Sequence, residues 1–161
     1  MKGDTQGKLD SLLVAAMNAE VEAKKFYEGA AQKAGSDAGK NLFAELAEFE
    51  QGHYDRLKEV INTRNKGMKF EVHVRSEEIP AQSEVKGQFE PNKDEIIKVL
   101  NIGIEAEKKA QTKYREIAKM SDDEELQSIF TEIADEERKH QRILEDQFYH
   151  MSNKGRIIWG E

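Results

Sequence analysis

The sequence predicts an all-α protein: a four-helix bundle whose second and third helices are joined by one long crossover. Three observations predict it. Two regions rich in Ala, Glu, Lys and Leu flank a middle that holds both prolines of the chain. Within each region apolar residues recur every three or four positions, the period of a helix with one face in a core. The two regions also repeat each other at an offset of 87 residues, as a duplicated hairpin would.

Helix 1 is predicted over about 8–34, where the broken run "AGSDAGK" ends it, and helix 2 over about 37–65. Residues 66–91 form the connector. In it Met68, Phe70, Val72 and Val74 alternate with polar neighbours, the period of one short extended piece, which could pair with its equivalent in a second chain. Helix 3 is predicted over about 92–120, where Asn92 with Glu95 reads as a capping pattern. Ser121-Asp-Asp-Glu124 reads as a capping box that opens helix 4, over about 122–151. Short links make helices 1 and 2, and helices 3 and 4, antiparallel neighbours. A helix of this length spans ~40 Å, whereas about 26 extended residues reach ~85 Å. The connector can therefore cross the whole bundle, which is the ferritin-like connectivity; a plain up-down bundle with a loose loop is the alternative.

A chain of 161 residues predicts one domain, residues 1–161, that buries about 68–70% of its unfolded surface. There is no cysteine, which excludes disulfides, thiolate metal sites and a cysteine nucleophile and suits a reducing cytoplasm. Charged residues make up 35% of the chain with a net charge of −7, against the basic face that nucleic acid needs. The start, "MKGDTQGKLD", has no apolar signal core, and no stretch approaches the ~20 apolar residues of a membrane span. A cytoplasmic protein with neither nucleic-acid nor membrane partner is expected.

The core stripes carry polar residues where aliphatic ones belong. Glu20 lies on the stripe of helix 1, Glu50 and His53 on that of helix 2, Glu107 on helix 3, and Glu137 and His140 on helix 4. Glu50-x-x-His53 alone is a weak signal in a Glu-rich chain. The repeat strengthens it. Glu20 falls on Glu107, Glu50 on Glu137, His53 on His140 and Tyr27 on Tyr114; with Leu13, Ala19, Ala23, Ala31, Phe43, Glu45, Ala47 and Leu57 this makes twelve identities without a gap. Burying isolated carboxylates is costly unless they are paired or bind metal, and no Lys or Arg lies on these stripes. Two divalent cations would balance four carboxylates, with one imidazole for each. A Glu from each of two helices plus Glu-x-x-His from each of the other two is the di-iron carboxylate pattern of bundle cores. An oxygen-rich set suits two iron ions, or Mn or mixed Fe/Mn, better than structural Zn, which can still enter as a contaminant.

At these residues the chain resembles the rubrerythrin-like branch of the ferritin-like superfamily. The motifs are Glu20 with Tyr27, Glu50-Gln-Gly-His53, Glu107 with Tyr114, and Glu137-Arg-Lys-His140. The resemblance implies that Glu50 and Glu137 bridge two irons, that Glu20 and Glu107 are terminal ligands, and that His53 and His140 bind one iron each. Tyr27 and Tyr114 would hydrogen-bond ligand carboxylates, or serve only as core residues. It implies reduction of hydrogen peroxide or dioxygen, a role in oxidative-stress defence, and a homodimer. Two departures matter. Without cysteine there is no rubredoxin domain, so electrons must come from an external donor such as a rubredoxin-type protein. The extra Glu that follows the terminal one on the family's third helix is missing, since Lys108, Lys109 and Ala110 stand there and Glu105 points away. Glu77, Glu78 or Glu84 of the connector could replace it. A ferroxidase or iron-binding protein without donor-linked turnover is the second reading, and a metal-free scaffold the third. Gly52 and Gly103, inside helices beside ligand positions, suggest close helix approach or room for a substrate. The apolar tail Ile157-Ile158-Trp159 is expected to dock on its own bundle or on a partner.

Overall fold

The computed structural model describes residues 2–65 and 87–159, with side chains from residue 7 onward. Four helices dominate it: α1 (Lys2–Lys33), α2 (Asp37–Asn65), α3 (Lys93–Met120) and α4 (Glu124–Lys154). At 1.5 Å per residue the 29 residues of α2 span about 43 Å. Two short strands, β1 (Gln88–Phe89) and β2 (Arg156–Ile157), pair antiparallel, with Gln88 opposite Ile157 and Phe89 opposite Arg156. The extended piece expected at Met68–Val74 lies outside the described residues, as do Glu77, Glu78 and Glu84.

Helix directions follow from cross-helix contacts. Arg64 near the end of α2 meets Asp10 near the start of α1 at 2.9 Å. At the other end, the Asn92 side chain donates to Lys33 O at 2.8 Å. The connector therefore joins opposite ends of the bundle, as one long crossover requires. α1 runs antiparallel to α3, and α2 to α4. This is the ferritin-like four-helix bundle.

The ends of the elements differ from the local patterns read in the sequence. α1 begins at Lys2 rather than near Lys8; Gly7 lowers helix propensity by about 1 kcal/mol without stopping the helix. Asn92 forms no side-chain cap, because its amide reaches across to Lys33 instead. Glu95, its expected capping partner, meets Lys33 Nζ at 3.5 Å. Ser121 belongs to the end of α3, its N–H bonded to Ala118 O. Asp123 caps α4, Oδ1 accepting from Glu125 N at 2.8 Å, so α4 starts at Glu124. It ends at Gly155, whose φ of 63° is the left-handed cap that glycine adopts without strain.

The apolar tail folds back on its own bundle. Ile157 and Trp159 are buried, and Trp159 Nε1 donates to Glu45 Oε2 at 2.6 Å. The Gln147 side chain bonds both Ile158 N and Ile158 O. Below this strand pair Glu90, fully buried, closes the turn between α1 and α2. Its carboxylate accepts from Gly35 N, Ser36 N, Ser36 Oγ and Asn92 N at 2.8–3.2 Å. These bonds hold its carboxyl below the usual range although burial opposes that.

The core falls into two apolar clusters. One centres on Leu42, Phe43, Leu46 and Leu100 at the Trp159 end, the other on Leu13, Leu57, Phe130 and Ile133 at the far end. A polar layer lies between them.

Candidate metal centre

The helical stripes deliver that polar layer. Glu20, Glu50, His53, Glu107, Glu137 and His140 are all at most 3% exposed. They arrive from four helices because each occupies a stripe position flanked by aliphatic residues three or four places away. The structure brings together all six residues that the sequence singled out. They form two overlapping groups: Glu20, Glu50, His53 and Glu137; and Glu50, Glu107, Glu137 and His140. Within each group the ligand atoms lie within 4.8 Å of one another. Glu50 and Glu137 belong to both.

Both imidazoles turn Nδ1 to the carboxylates. His53 Nδ1 lies 2.9 Å from Glu137 Oε1 and 3.5 Å from Glu20 Oε1. His140 Nδ1 lies 3.4 Å from Glu50 Oε1 and from Glu137 Oε1. The two rings lie 5.7 Å apart and near parallel.

Two tyrosines strap the Glu107 and Glu20 carboxylates across the bundle. Tyr27 of α1 donates to Glu107 Oε1 of α3 at 2.5 Å, and Tyr114 of α3 donates to Glu20 Oε1 of α1. Burial, then the neighbouring carboxylates, raise both phenols well above their usual range, so both remain donors. The two halves match in packing as well. Tyr27 stacks on Phe43 and Tyr114 on Phe130, each at 6.4 Å.

Electrostatics show what the cluster needs. Burial and then repulsion from Glu50 push the Glu20 carboxyl up to about 8. Burial and the charges of Glu137 and Glu50 raise Glu107 well above the carboxylate range. Burial also disfavours charge on Glu50 and Glu137, yet both carboxyls stay below the usual range, Glu50 through the Glu20 carboxyl and then the two imidazoles, Glu137 through His53 and His140. Burial opposes a proton on His53, but Glu137, Glu136 and Glu20 around it outweigh that. Without cations the layer is stable only by holding protons. Buried carboxylate oxygens that include Glu20 Oε2, both of Glu50 and Glu107 Oε2 make no hydrogen bond among the described residues. Acceptor atoms left so in a native core ask for a cation. The donor set of carboxylates and neutral imidazoles fits Fe(II) or Mn(II).

A groove of about 620 Å³ between α1 and α3 reaches this layer. Its walls include Ala16, Ala19, Ala23, Ala106 and Ala110, and its floor Glu20, Glu50, Glu107 and Glu137. Small side chains keep it open; larger ones would seal the carboxylates from solvent. Gly103 packs tightly nearby, where an added Cβ would meet Leu144 Cδ1 at 3.0 Å and Tyr27 Oη at 3.5 Å. Gly52 differs from expectation: open space surrounds it and it is exposed, so no close helix approach requires it.

Glu105 is exposed and meets Lys108 at 3.4 Å, and among the described residues no carboxylate takes the place of the missing Glu on α3. The stripes did not single out Glu136. It is 2% exposed, with Oε2 2.7 Å from His53 Nε2 and bonded also to Arg56. The signal was available: Phe49 flanks the stripe of α2 beside Glu50, and its repeat partner is Glu136.

Comparison with curated proteins gives no match. Among solved structures, a hypothetical protein from Pyrococcus furiosus is similar, with 27% identity over 90% of each chain and a TM-score of 0.71. The family model described as Rubrerythrin matches residues 11–151. With a ferritin-like bundle, a carboxylate–imidazole layer that could hold metal, and a family match over most of its length, the chain belongs to the rubrerythrin family.

Proposed function

We propose that the protein is a di-iron oxidoreductase that reduces hydrogen peroxide, or dioxygen, with electrons from an external donor. The observation that carries this is the buried layer of four Glu and two His, open at one side to a groove. Glu20 and His53 would hold one ion, Glu107 and His140 the other. Glu50 and Glu137, common to both groups, would bridge. When bound, two ferrous ions supply two electrons, one each, which with two protons take hydrogen peroxide to two waters. The chain's own residues do the rest. The tyrosines fix the terminal carboxylates, the aliphatic clusters on both sides keep the layer dry, and the α1–α3 groove admits a small oxidant.

The donor would be a separate one-electron protein of the rubredoxin type, because the sequence has no cysteine with which to hold a thiolate-bound iron. Oxidative-stress defence, and assembly as a homodimer, belong to the same proposal and rest on the family resemblance. The matched, six-residue layer without a further carboxylate on α3 favours a second reading, in which Fe(II) is oxidised without donor-linked turnover. A steady-state assay separates the two. With Fe(II)-loaded protein and a reduced donor, the first reading expects sustained peroxide consumption that Glu50→Ala and Glu137→Ala abolish together with bound metal. A single turnover that stops with the donor still reduced would establish the second, and normal turnover in Glu50→Ala would sink both.

A further inference from the structure

The groove between α1 and α3 is far larger than hydrogen peroxide needs. Its volume is about 620 Å³, within the range of about 300–1,000 Å³ of pockets that hold organic ligands. One water takes about 30 Å³ of liquid, and hydrogen peroxide adds a single oxygen to that. Ile102 and Glu116 both line the groove, so it runs about 21 Å along α3 at 1.5 Å per residue. At its floor Glu20 Oε2 and Glu107 Oε2, each on a residue at most 3% exposed, accept no hydrogen bond from the described residues.

The repeat makes the middle of the groove symmetric and leaves its ends different. Ala19 and Ala23 of α1 correspond to Ala106 and Ala110 of α3, and all four line it. Toward the Trp159 end stand Phe26 and Ile102. Phe26 reaches across from α1, its Cε1 3.7 Å from where a Cβ on Gly103 of α3 would lie. The repeat partners of Phe26 and Ile102 are Lys113 and Ala15, and Lys113 lines the opposite end with Glu116. One end is thus apolar and the other charged, with the carboxylate layer between them. Ile102 is 57% exposed, an aliphatic side chain left against water at the edge of the groove. Hydrogen peroxide, which hydrogen-bonds through both oxygens, gains nothing from such a wall. An apolar tail takes the wall out of water, and the driving force grows with the area covered.

We propose that the protein reduces organic hydroperoxides, R–O–OH with a short apolar R, the tail lying against Phe26 and Ile102 while the –O–OH group reaches the Glu20 and Glu107 carboxylates. This rests on the oxidoreductase reading above and names its substrate class. The O–O bond breaks on uptake of two electrons, which the external one-electron donor supplies in two steps, and of two protons from water at the charged end; R–OH and water leave.

Cumene hydroperoxide is the probe substrate, and its product, cumyl alcohol, reports binding without reaction. In the whole metal-free chain, methyl NMR with cumyl alcohol is expected to show saturable shifts at Ile102, Ala23 and Ala106. Ile102→Asp, whose melt checks that it folds, should raise the dissociation constant read at the two alanines by about ten-fold, the order of one lost aliphatic contact. With Fe(II)-loaded protein and a reduced donor, cumene hydroperoxide should be consumed in steady state. Its kcat/KM relative to that of hydrogen peroxide should fall by about ten-fold in Ile102→Asp. No saturable shift at these methyls in wild type, turnover of hydrogen peroxide without turnover of cumene hydroperoxide, or an unchanged ratio in Ile102→Asp would overturn the inference. If wild type binds cumyl alcohol yet consumes neither peroxide, the oxidoreductase reading itself fails and takes the inference with it.

Discussion

Replacing Tyr27 or Tyr114 by Phe isolates what the strapping hydroxyls do. Phe keeps the ring, so the stacking on Phe43 or Phe130 and the burial survive. What goes is one O–H donated to Glu107 or Glu20. In the metal-loaded protein the acceptor is an ionised carboxylate, and such a bond is worth about 1.5–3 kcal/mol. In the metal-free protein Glu107 is held protonated by burial and by Glu137, so its bond is the neutral kind, about 0.5–1.5 kcal/mol. Metal affinity reports the difference, about 1–1.5 kcal/mol, or about ten-fold in Kd. Calorimetric titration with Mn(II) under argon measures it. Tyr27→Phe should weaken the position that contains Glu107 and His140, and Tyr114→Phe the one that contains Glu20 and His53. The metal-free melting temperature should fall by only about 2–4 °C in either variant. Affinities within two-fold of wild type in both variants would refute the reasoning and leave the tyrosines as core residues.

Glu90→Ala strands the buried N–H and O–H of Ser36 and returns two part-buried donors, Gly35 N and Asn92 N, to water, an expected loss of about 2–6 kcal/mol, read by denaturant unfolding. Its folded carboxyl sits below the ordinary range, so its stabilisation is complete above about pH 4.5 and is lost as pH falls through the folded value; Glu90→Gln should flatten the melt-against-pH curve there. Glu20 has the opposite sign. Raised from 4.5 to about 8, it stabilises the metal-free protein fully below pH 4.5 and loses that contribution as pH rises to 8. Metal loading at pH 6–7 should therefore release protons, measurable as a buffer-dependent heat, and should remove this decline in melting temperature; buffer-independent heats would count against it. Trp159→Ala, which empties a buried site and frees Glu45, should cost about 3–5 kcal/mol, and a melt unchanged from wild type would mean the tail is not docked in solution.

The apolar stripes and the repeat made the four helices and the six layer residues legible, because both are periodic and local signals. The residues that escaped act across distance. Glu90 caps a turn 54–55 residues away, and no local pattern marks a carboxylate for that task. Asn92 looks like a helix cap by spacing, yet a carbonyl on α1 competes successfully for its amide. Two-residue strands are too short to show a period of two. Glu136 was hidden differently: next to Glu137 in a Glu-rich helix it resembled a solvated residue, and only Arg56 and His53, across the bundle, give it a buried partner.

A buried two-metal centre that reacts with peroxide would reveal itself in one anaerobic experiment. The protein is loaded with Fe(II) without oxygen, metal per chain is counted, one equivalent of hydrogen peroxide is added, and the absorption spectrum is followed. Two irons per chain and rapid growth of a near-ultraviolet band from an oxidised iron pair are predicted. Fewer than one iron per chain, or two irons that ignore peroxide, would contradict the account.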